Sequence, residues 1–408
     1  MDMQSPNQSN LRPGIRRRLL WGAIFLMATS SIGPAFLTQT TVFTEQFAAN
    51  FAFAILASLI IDVGAQLNIW RILSVSGKRG QDVANMVLPG LGSLIAILIV
   101  IGGLAFNIGN VAGAGLGLNV LFGISPVTGA VIAGILAIIV FSLKDAGKAM
   151  DIVTQFLGIV MLVMVGYVMV TTSPPAGDAL VKAIAPDHYG TLLLPMITLV
   201  GGTVGGYITF AGGHRLIDAG VTGKENVSFV SRAANLGILT TGVMRVILFL
   251  AVLGVVTAGH QLDQKNPAAS VFQIALGDIG YKVFGIVLFS AALTSVIGSA
   301  YTSVSFLRSF HRSIVTYHNW IIIAFILFST IIFALVGKPV TILIIVGALN
   351  ALILPLTLGA ILLASRNRKI IGDYHHPTWM IAFGAVAVLV TLIASWFSLQ
   401  EIAKLWTG

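Results

Sequence analysis

The sequence predicts an all-α polytopic membrane protein, and three observations carry that prediction. Charged residues are 9% of the 408-residue chain and apolar ones 57%, whereas a soluble domain carries about 25% charge. Apolar runs of about 20 residues, the length that crosses a bilayer, recur from end to end. Lys and Arg collect in alternate loops, as expected of a chain that crosses repeatedly with its basic loops on the inner side. The net charge of +9 is then a topology signal, and no nucleic-acid partner is expected. There is no cysteine, so no disulfide framework and no thiolate metal site can form.

Taken in order, eleven spans are expected, at 19–44, 49–75, 91–116, 125–143, 152–171, 192–212, 234–257, 277–305, 318–336, 339–364 and 378–397. A basic tail over residues 1–18 (Arg12, Arg16, Arg17, Arg18) precedes them. The apolar run after it is too long for a signal-peptide core, and no cleavable signal is expected. One set of span ends carries that tail, then Lys78 and Arg79, Lys144 and Lys148, Arg215, Lys224 and Arg232, Arg308 and Arg312, and Arg366, Arg368 and Lys369. The opposite ends carry only Lys182, Lys265, Lys282, Lys338 and Lys404. A multi-pass cell-membrane protein with a cytoplasmic amino terminus and an outer carboxyl terminus follows.

Two spans are interrupted. The stretch "GPAFLTQTTVFTEQF" (33–47) sets Thr38, Gln39, Thr40, Thr41, Thr44 and Glu45 inside an apolar run. Polar groups at membrane depth need partners, and an ionisable one there marks a functional site by default. The sixth span holds "VGGTVGGYITFAGG" (200–213), dense in glycine. Breaks at matching places, in spans one and six, point to an inverted-repeat secondary transporter. The first repeat is expected over 19–171 and the second over 192–364, with 378–397 as an eleventh helix. Unwinding is expected near 44–47 and 202–208. Such breaks free backbone amides suited to an anionic group and carbonyls suited to a cation or a donor.

Several stretches resemble the natural resistance-associated macrophage proteins (Nramp). "GPAFL" resembles that family's GPGFL, "SGKRGQDVA" (76–84) its TGRDLA and "GAGLGLNVLFGI" (113–124) its AIALNLLFGI. "IGSAYTS" (297–303) resembles ITGTYAG, and "LILPLTLGAILLASRNRKIIGDY" (352–374) resembles LQLPFALIPLLLFTSDRKLMGEF. The resemblance runs from Gly33 to about Asp373 and implies a LeuT-like fold of five plus five helices. It also implies a transporter rather than an enzyme, in a family of divalent-metal and proton symporters. Counted from Gly33-Pro34, the family's DPGN metal motif falls on Thr44, Glu45, Gln46 and Phe47, and its MPH motif on Gly205, Gly206 and Tyr207. Its third-span proton-route Asp and Glu fall on Asn107 and Asn110, and a span-ten Gln on Gly347. The metal-binding Asp, Asn and Met are thus replaced by Thr44, Phe47 and Gly205.

A divalent ion leaves water only for ligands that restore its coordination. Glu45 is the sole carboxylate near these positions, and all seven His lie at span ends or in loops. No resident metal or cofactor is expected. A small organic solute bearing a carboxylate or resembling an amino acid suits a glycine-lined, hydroxyl- and amide-rich pocket better. The resemblance is to an Nramp-related sub-branch that often neighbours 5-oxoprolinase genes, which makes 5-oxoproline the first solute to consider. The alternative is a proton-coupled Mn²⁺ or Mg²⁺ transporter. An intramembrane enzyme is not expected, since neither HExxH nor GxSxG is present.

Expected substrate-binding residues are Thr44, Glu45, Gln46, Phe47, Asn107, Gly205, Gly206 and Tyr207. Glu45 is either a protonatable group at the site mouth or an outer-surface residue. Asn107 and Asn110, spaced i, i+3, share a helix face, to bond between helices or to line the path. Asp62 and Arg245 stand near the middles of spans two and seven. Mutual pairing, for bracing or gating, is expected because an uncompensated charge there is costly. Ser295 and Ser299, with Thr294 and Thr302, are candidates for coupling, although such hydroxyls often bond back to their own helix. The expected partners are the solute, a coupling ion (H⁺ or Na⁺) and the lipid bilayer, and the protein is expected to be a monomer.

Overall fold

Gly33 is held extended (φ −126°, ψ −169°) and Pro34 opens a new helix behind it. Proline brings no amide to the preceding turn and disfavours helix at the residue before it, so the first span breaks there. The coordinates are a computed structural model describing residues 13–143 and 146–407. Arg12 and Lys144, with most of the expected tail, lie outside the described residues, as do the side chains of Lys148 and Lys404.

Among the described residues the secondary structure is entirely helical. The order is α1 (Pro13–Ser31), α2 (Pro34–Phe47), α3 (Phe51–Ser76), α4 (Gly80–Val87), α5 (Leu91–Phe122) and α6 (Pro126–Ser142). Then come α7 (Ala146–Thr171), α8 (Ala176–Ile184), α9 (Leu193–Val204), α10 (Ile208–Asp218), α11 (Val227–Thr257) and α12 (Pro267–Ser305). The chain ends with α13 (Arg312–Thr316), α14 (His318–Val336), α15 (Pro339–Ala351), α16 (Leu354–Ala364), α17 (Arg368–Ile371) and α18 (Thr378–Thr407).

Every expected run is helical, but by length and apolarity alone eight stretches among the described residues qualify as membrane spans, and α7 with α8, bent by 104°, makes a ninth. The difference has local causes. Pro34–Ser76 counts as one stretch, because a 3-10 turn over Ala48–Asn50 joins α2 to α3. α6 is 17 residues long, and α1 opens with Arg16, Arg17 and Arg18.

Two groups of helices pack about the breaks. α3 lies against α9 and α11, with α1, α2 and α10 completing a bundle; α5, α6, α12 and α14 form a second layer. α15 touches α5 in the second layer, and α2 and α9 in the bundle. Where the layers meet, α5 carries Gly113, whose Cβ, if present, would lie 2.1 Å from Pro34 Cβ. Only glycine lets the span-one break approach α5 so closely.

The sixth span breaks at Gly205–Tyr207, between α9 and α10, inside the expected 202–208. The first span does not break at 44–47. Those residues close α2, which is continuous from Pro34 to Phe47. Its threonines satisfy themselves within the helix: Thr40 Oγ1 donates to Phe36 O (2.8 Å), Thr41 Oγ1 to Leu37 O (2.9 Å) and Thr44 Oγ1 to Thr40 O (2.6 Å). A polar run therefore need not unwind a helix. A third interruption, unexpected from the sequence, divides the tenth span at Leu352–Ile353, between α15 and α16.

Candidate functional site at the two helix breaks

The two breaks meet. Ser31, the last residue of α1, donates through Oγ to Thr203 O (3.3 Å), two residues before the α9–α10 break. Gly206 takes a left-handed backbone (φ +54°), and a Cβ there would fall 2.1 Å from Asn350 Oδ1. Glycine is thus required twice over at this turn, for its backbone and for the approach of the α15 side chain.

Around the breaks the lining is buried, uncharged and polar. Gln39 of α2 donates through Nε2 to Leu343 O (2.6 Å), while its Oε1 finds no partner. Asn350 donates to Gly102 O (3.0 Å) and Val346 O (2.9 Å), while its Oδ1 is unpartnered. Asn107 is fully buried with neither amide atom hydrogen-bonded. Thr198 Oγ1 and Ser303 Oγ are likewise buried without a partner. Such groups cost free energy when left unpaired, and several of them lie around the two helix breaks.

The expected residues divide into two sets. Gly205, Gly206 and Tyr207 form the α9–α10 break, and Tyr207 packs edge-on against Phe106 with ring centroids 5.8 Å apart. Asn110 Nδ2 donates to Ser299 Oγ (3.4 Å), which joins α5 to α12 beside the Tyr207 hydroxyl. Ser295 Oγ would lie 3.6 Å from a Cβ on Gly33, which brings it to the span-one break. Thr294 bonds back to Ser290 O and Ala291 O in its own helix.

The second set lies away from the breaks. Thr44 is spent within α2, Gln46 is exposed, and Phe47 packs on Phe43 at 6.4 Å. Glu45 is partly exposed and accepts from Gln264 Nε2 at 3.1 and 3.2 Å. These four end α2 because the span breaks eleven residues earlier than the sequence reading placed it. Gln39, singled out only as part of the polar stretch 33–47, reaches the breaks, and Asn350, Ser31, Thr198 and Ser303 approach them without having been expected there. For Asn350 the signal was present: an amide in an otherwise apolar run, five residues before Pro355.

Asp62 and Arg245 are both buried, at 0% and 1% exposure. They face one another, but no direct ion pair within 4 Å joins them; the ion pairs among the described residues are Arg79–Asp218 and Lys182–Asp187. Thr203 intervenes. Its hydroxyl accepts from Arg245 Nη1 (3.0 Å), donates to Leu199 O (2.9 Å) and lies beside the Asp62 carboxylate. The Arg245 guanidinium stacks over Phe36 at 4.4 Å from the ring centroid, a favourable arrangement for a desolvated cation. Among the described residues, no group of three or more His, Asp or Glu could hold a metal ion.

The chain resembles known proteins in sequence and in fold. The chain is 56% identical over 390 residues to the uncharacterized membrane protein YcsG of Bacillus subtilis, covering 95% of this chain and 96% of that one. A variant of the manganese transporter of Eremococcus coleocola superposes with a TM-score of 0.73 at 16% identity, covering 100% of this chain and 92% of that one. MhsT, solved in complex with L-phenylalanine, superposes with a TM-score of 0.63 at 16% identity, over 92% of this chain and 98% of that one. Both likenesses establish the LeuT-like inverted repeat of five plus five helices with an eleventh added. Residues 24–400 match the family described as natural resistance-associated macrophage protein-like, and the chain belongs to that family of membrane transporters.

Proposed function

We propose that the protein is a secondary active transporter of a small organic solute bearing a carboxylate or resembling an amino acid, moved in symport with H⁺ or Na⁺. One observation carries the reading: the two breaks meet among buried, uncharged amide and hydroxyl groups, several of them unpartnered. Helices α2 and α10 both begin at these breaks. Helix N-termini turned inward at mid-membrane suit a carboxylate. L-phenylalanine bound to MhsT is a guest of this chemistry on the same fold.

The metal alternative draws on the name of the Eremococcus coleocola neighbour. The donors at the breaks are neutral amides and hydroxyls, and the buried carboxylate beside them, Asp62, is already balanced by Arg245, so a divalent cation finds little charge compensation. We further infer a monomer with a cytoplasmic amino terminus, repeats over 19–171 and 192–364, and an added helix at 378–397. Thermal-shift screening of the purified protein against small carboxylates, amino acids and divalent cations tests the reading. Stabilisation by a carboxylate such as 5-oxoproline is expected, and stabilisation by Mn²⁺ alone would overturn it.

A further inference from the structure

Asp62, Thr203 and Arg245 form a buried polar track that the carboxylate reading leaves without a task. It begins on α3 with both Asp62 oxygens unpartnered, crosses Thr203 on α9, and ends on α11 with Arg245 Nε and Nη2 also unpartnered. Both breaks touch it. Ser31, ending α1, bonds Thr203 O, and Phe36, in the first turn of α2, lies under the guanidinium. A bracing pair would satisfy its hydrogen-bonding atoms. This one leaves Arg245 Nε and Nη2 without a hydrogen bond and the Asp62 carboxylate with Thr203 beside it as its polar neighbour, neither oxygen in a well-formed hydrogen bond.

The charges near Asp62 are few. Of the elements packed on α3, α9 and α16 carry no charged residue, nor does α18 over 378–399. Asp82 of α4, Asp178 of α8, Arg215 and Asp218 of α10, Lys224 and Glu225 of the 3-10 turn before α11, Arg232 of α11, and Arg368 and Lys369 of α17 are exposed, and Glu45 of α2 is partly so. Lys182 of α8 is bonded to Asp187, and Arg71, on α3 itself, is bonded to Ser231. His214 of α10 accepts from Gly80 N (3.1 Å). Arg245 is the charge that acts on Asp62.

Resting on the carboxylate reading, we propose that this track is a proton-coupling device in which Arg245 receives the solute's carboxylate and Asp62 takes up the proton that travels with it. With the site empty, one positive and one negative charge balance. When a carboxylate arrives, two negative charges share one guanidinium in a buried space, an uncompensated charge the interior does not tolerate. One proton adding to an Asp62 oxygen restores neutrality, and no other bond forms or breaks. On release, carboxylate and proton leave together and the original balance returns. Because linkage is reciprocal, acidification raises the apparent affinity for the solute by the factor by which the solute raises proton affinity. The scheme selects H⁺ over Na⁺ and makes each cycle electroneutral.

Proteoliposomes of the full chain and radiolabelled 5-oxoproline test it. In the wild type, counterflow without any gradient and accumulation on an inside-alkaline pH gradient are both expected. One proton should enter per carboxylate, with no response to an imposed membrane potential. In Asp62→Asn, exchange should persist while pH-driven accumulation falls at least tenfold. A lower melting temperature is expected of that variant in either case, since Arg245 loses its counter-charge; pure bracing would leave accumulation coupled to the pH gradient, which overturns the proposal. Accumulation driven by Na⁺ without proton movement overturns it as well. If Asp62→Asn does not fold, the wild-type proton count and voltage response decide alone. Absent wild-type counterflow would bring down the carboxylate reading and this scheme with it, whereas counterflow with uncoupled protons brings down only the scheme.

Discussion

Asn107 is the residue whose environment makes the sharpest distinction between folding and function. Its amide is fully buried and neither polar atom is bonded. Leaving such a group unpaired costs about 1–3 kcal/mol. Asn107→Leu, similar in volume, should therefore hold or raise the melting temperature while reducing solute uptake more than tenfold; a less stable variant with normal uptake would show that the amide serves the fold. The Asp62–Arg245 track makes a different prediction. Asp62→Asn or Arg245→Gln alone leaves one buried charge, at a cost of about 3–5 kcal/mol. The double change should destabilise by less than the sum of the singles, as a double-mutant cycle in detergent can measure, and strict additivity would mean the two do not interact. Outside the spans, His376 donates through Nε2 to Asn68 Oδ1 (2.8 Å). Burial, helped by the Arg71 charge, holds its imidazole down at about 4, against ~6.5 when unfolded. The folded protein therefore binds fewer protons between those values, so its contribution to stability is complete above about pH 6.5 and is lost as pH falls toward about 4. Melting curves across that window should show the decline, and His376→Gln should flatten it.

At the scale of the helices, the sequence disclosed which runs are helical and their order because apolar length acts over twenty residues at a time, although eight stretches, or nine with the bent pair, qualify as spans among the described residues. Breaks are decided by two or three residues, and there legibility was uneven. Six glycines in "VGGTVGGYITFAGG" announced the sixth-span break, since only glycine adopts φ +54° at residue 206 without strain. The first break was misplaced because "TTVFTEQF" is polar, yet Thr40, Thr41 and Thr44 are satisfied by carbonyls one turn back. Gly33-Pro34, the real signal, lay eleven residues upstream. The unpartnered atoms of Gln39 and Asn350 were invisible for another reason: whether an amide is satisfied depends on helices hundreds of residues apart. These geometries also select the informative substitution. Gly205→Val is a poor probe of solute approach, because a Cβ there meets Gly201 O at 2.4 Å and the Asn350 backbone at 2.9 Å. Gly206→Ala should lower the melting temperature clearly, through the left-handed backbone and the clash with Asn350 Oδ1. Gly158→Ala, with nothing within 4 Å of its Cβ, should not. Equal melting temperatures would mean the turn at 206 is not held as described.

For the whole molecule, the polar lining of the breaks is almost inaccessible, with Gln39, Asn107 and Asn350 at 0% exposure and Tyr207 at 4%. Transport then requires the bundle around α3 and α11 to move against the layer of α5 and α12, opening the breaks to one side at a time. The family match over residues 24–400 fits this two-layer arrangement, and on the proposed reading the polar groups at the breaks, with Asp62 and Arg245 beside them, receive the solute. Uptake into proteoliposomes, with 5-oxoproline and Mn²⁺ offered separately to the same preparation, tests this most directly. The account predicts saturable carboxylate accumulation that Asn107→Leu abolishes, with no Mn²⁺ entry. Micromolar Mn²⁺ uptake in the absence of any carboxylate transport would contradict it.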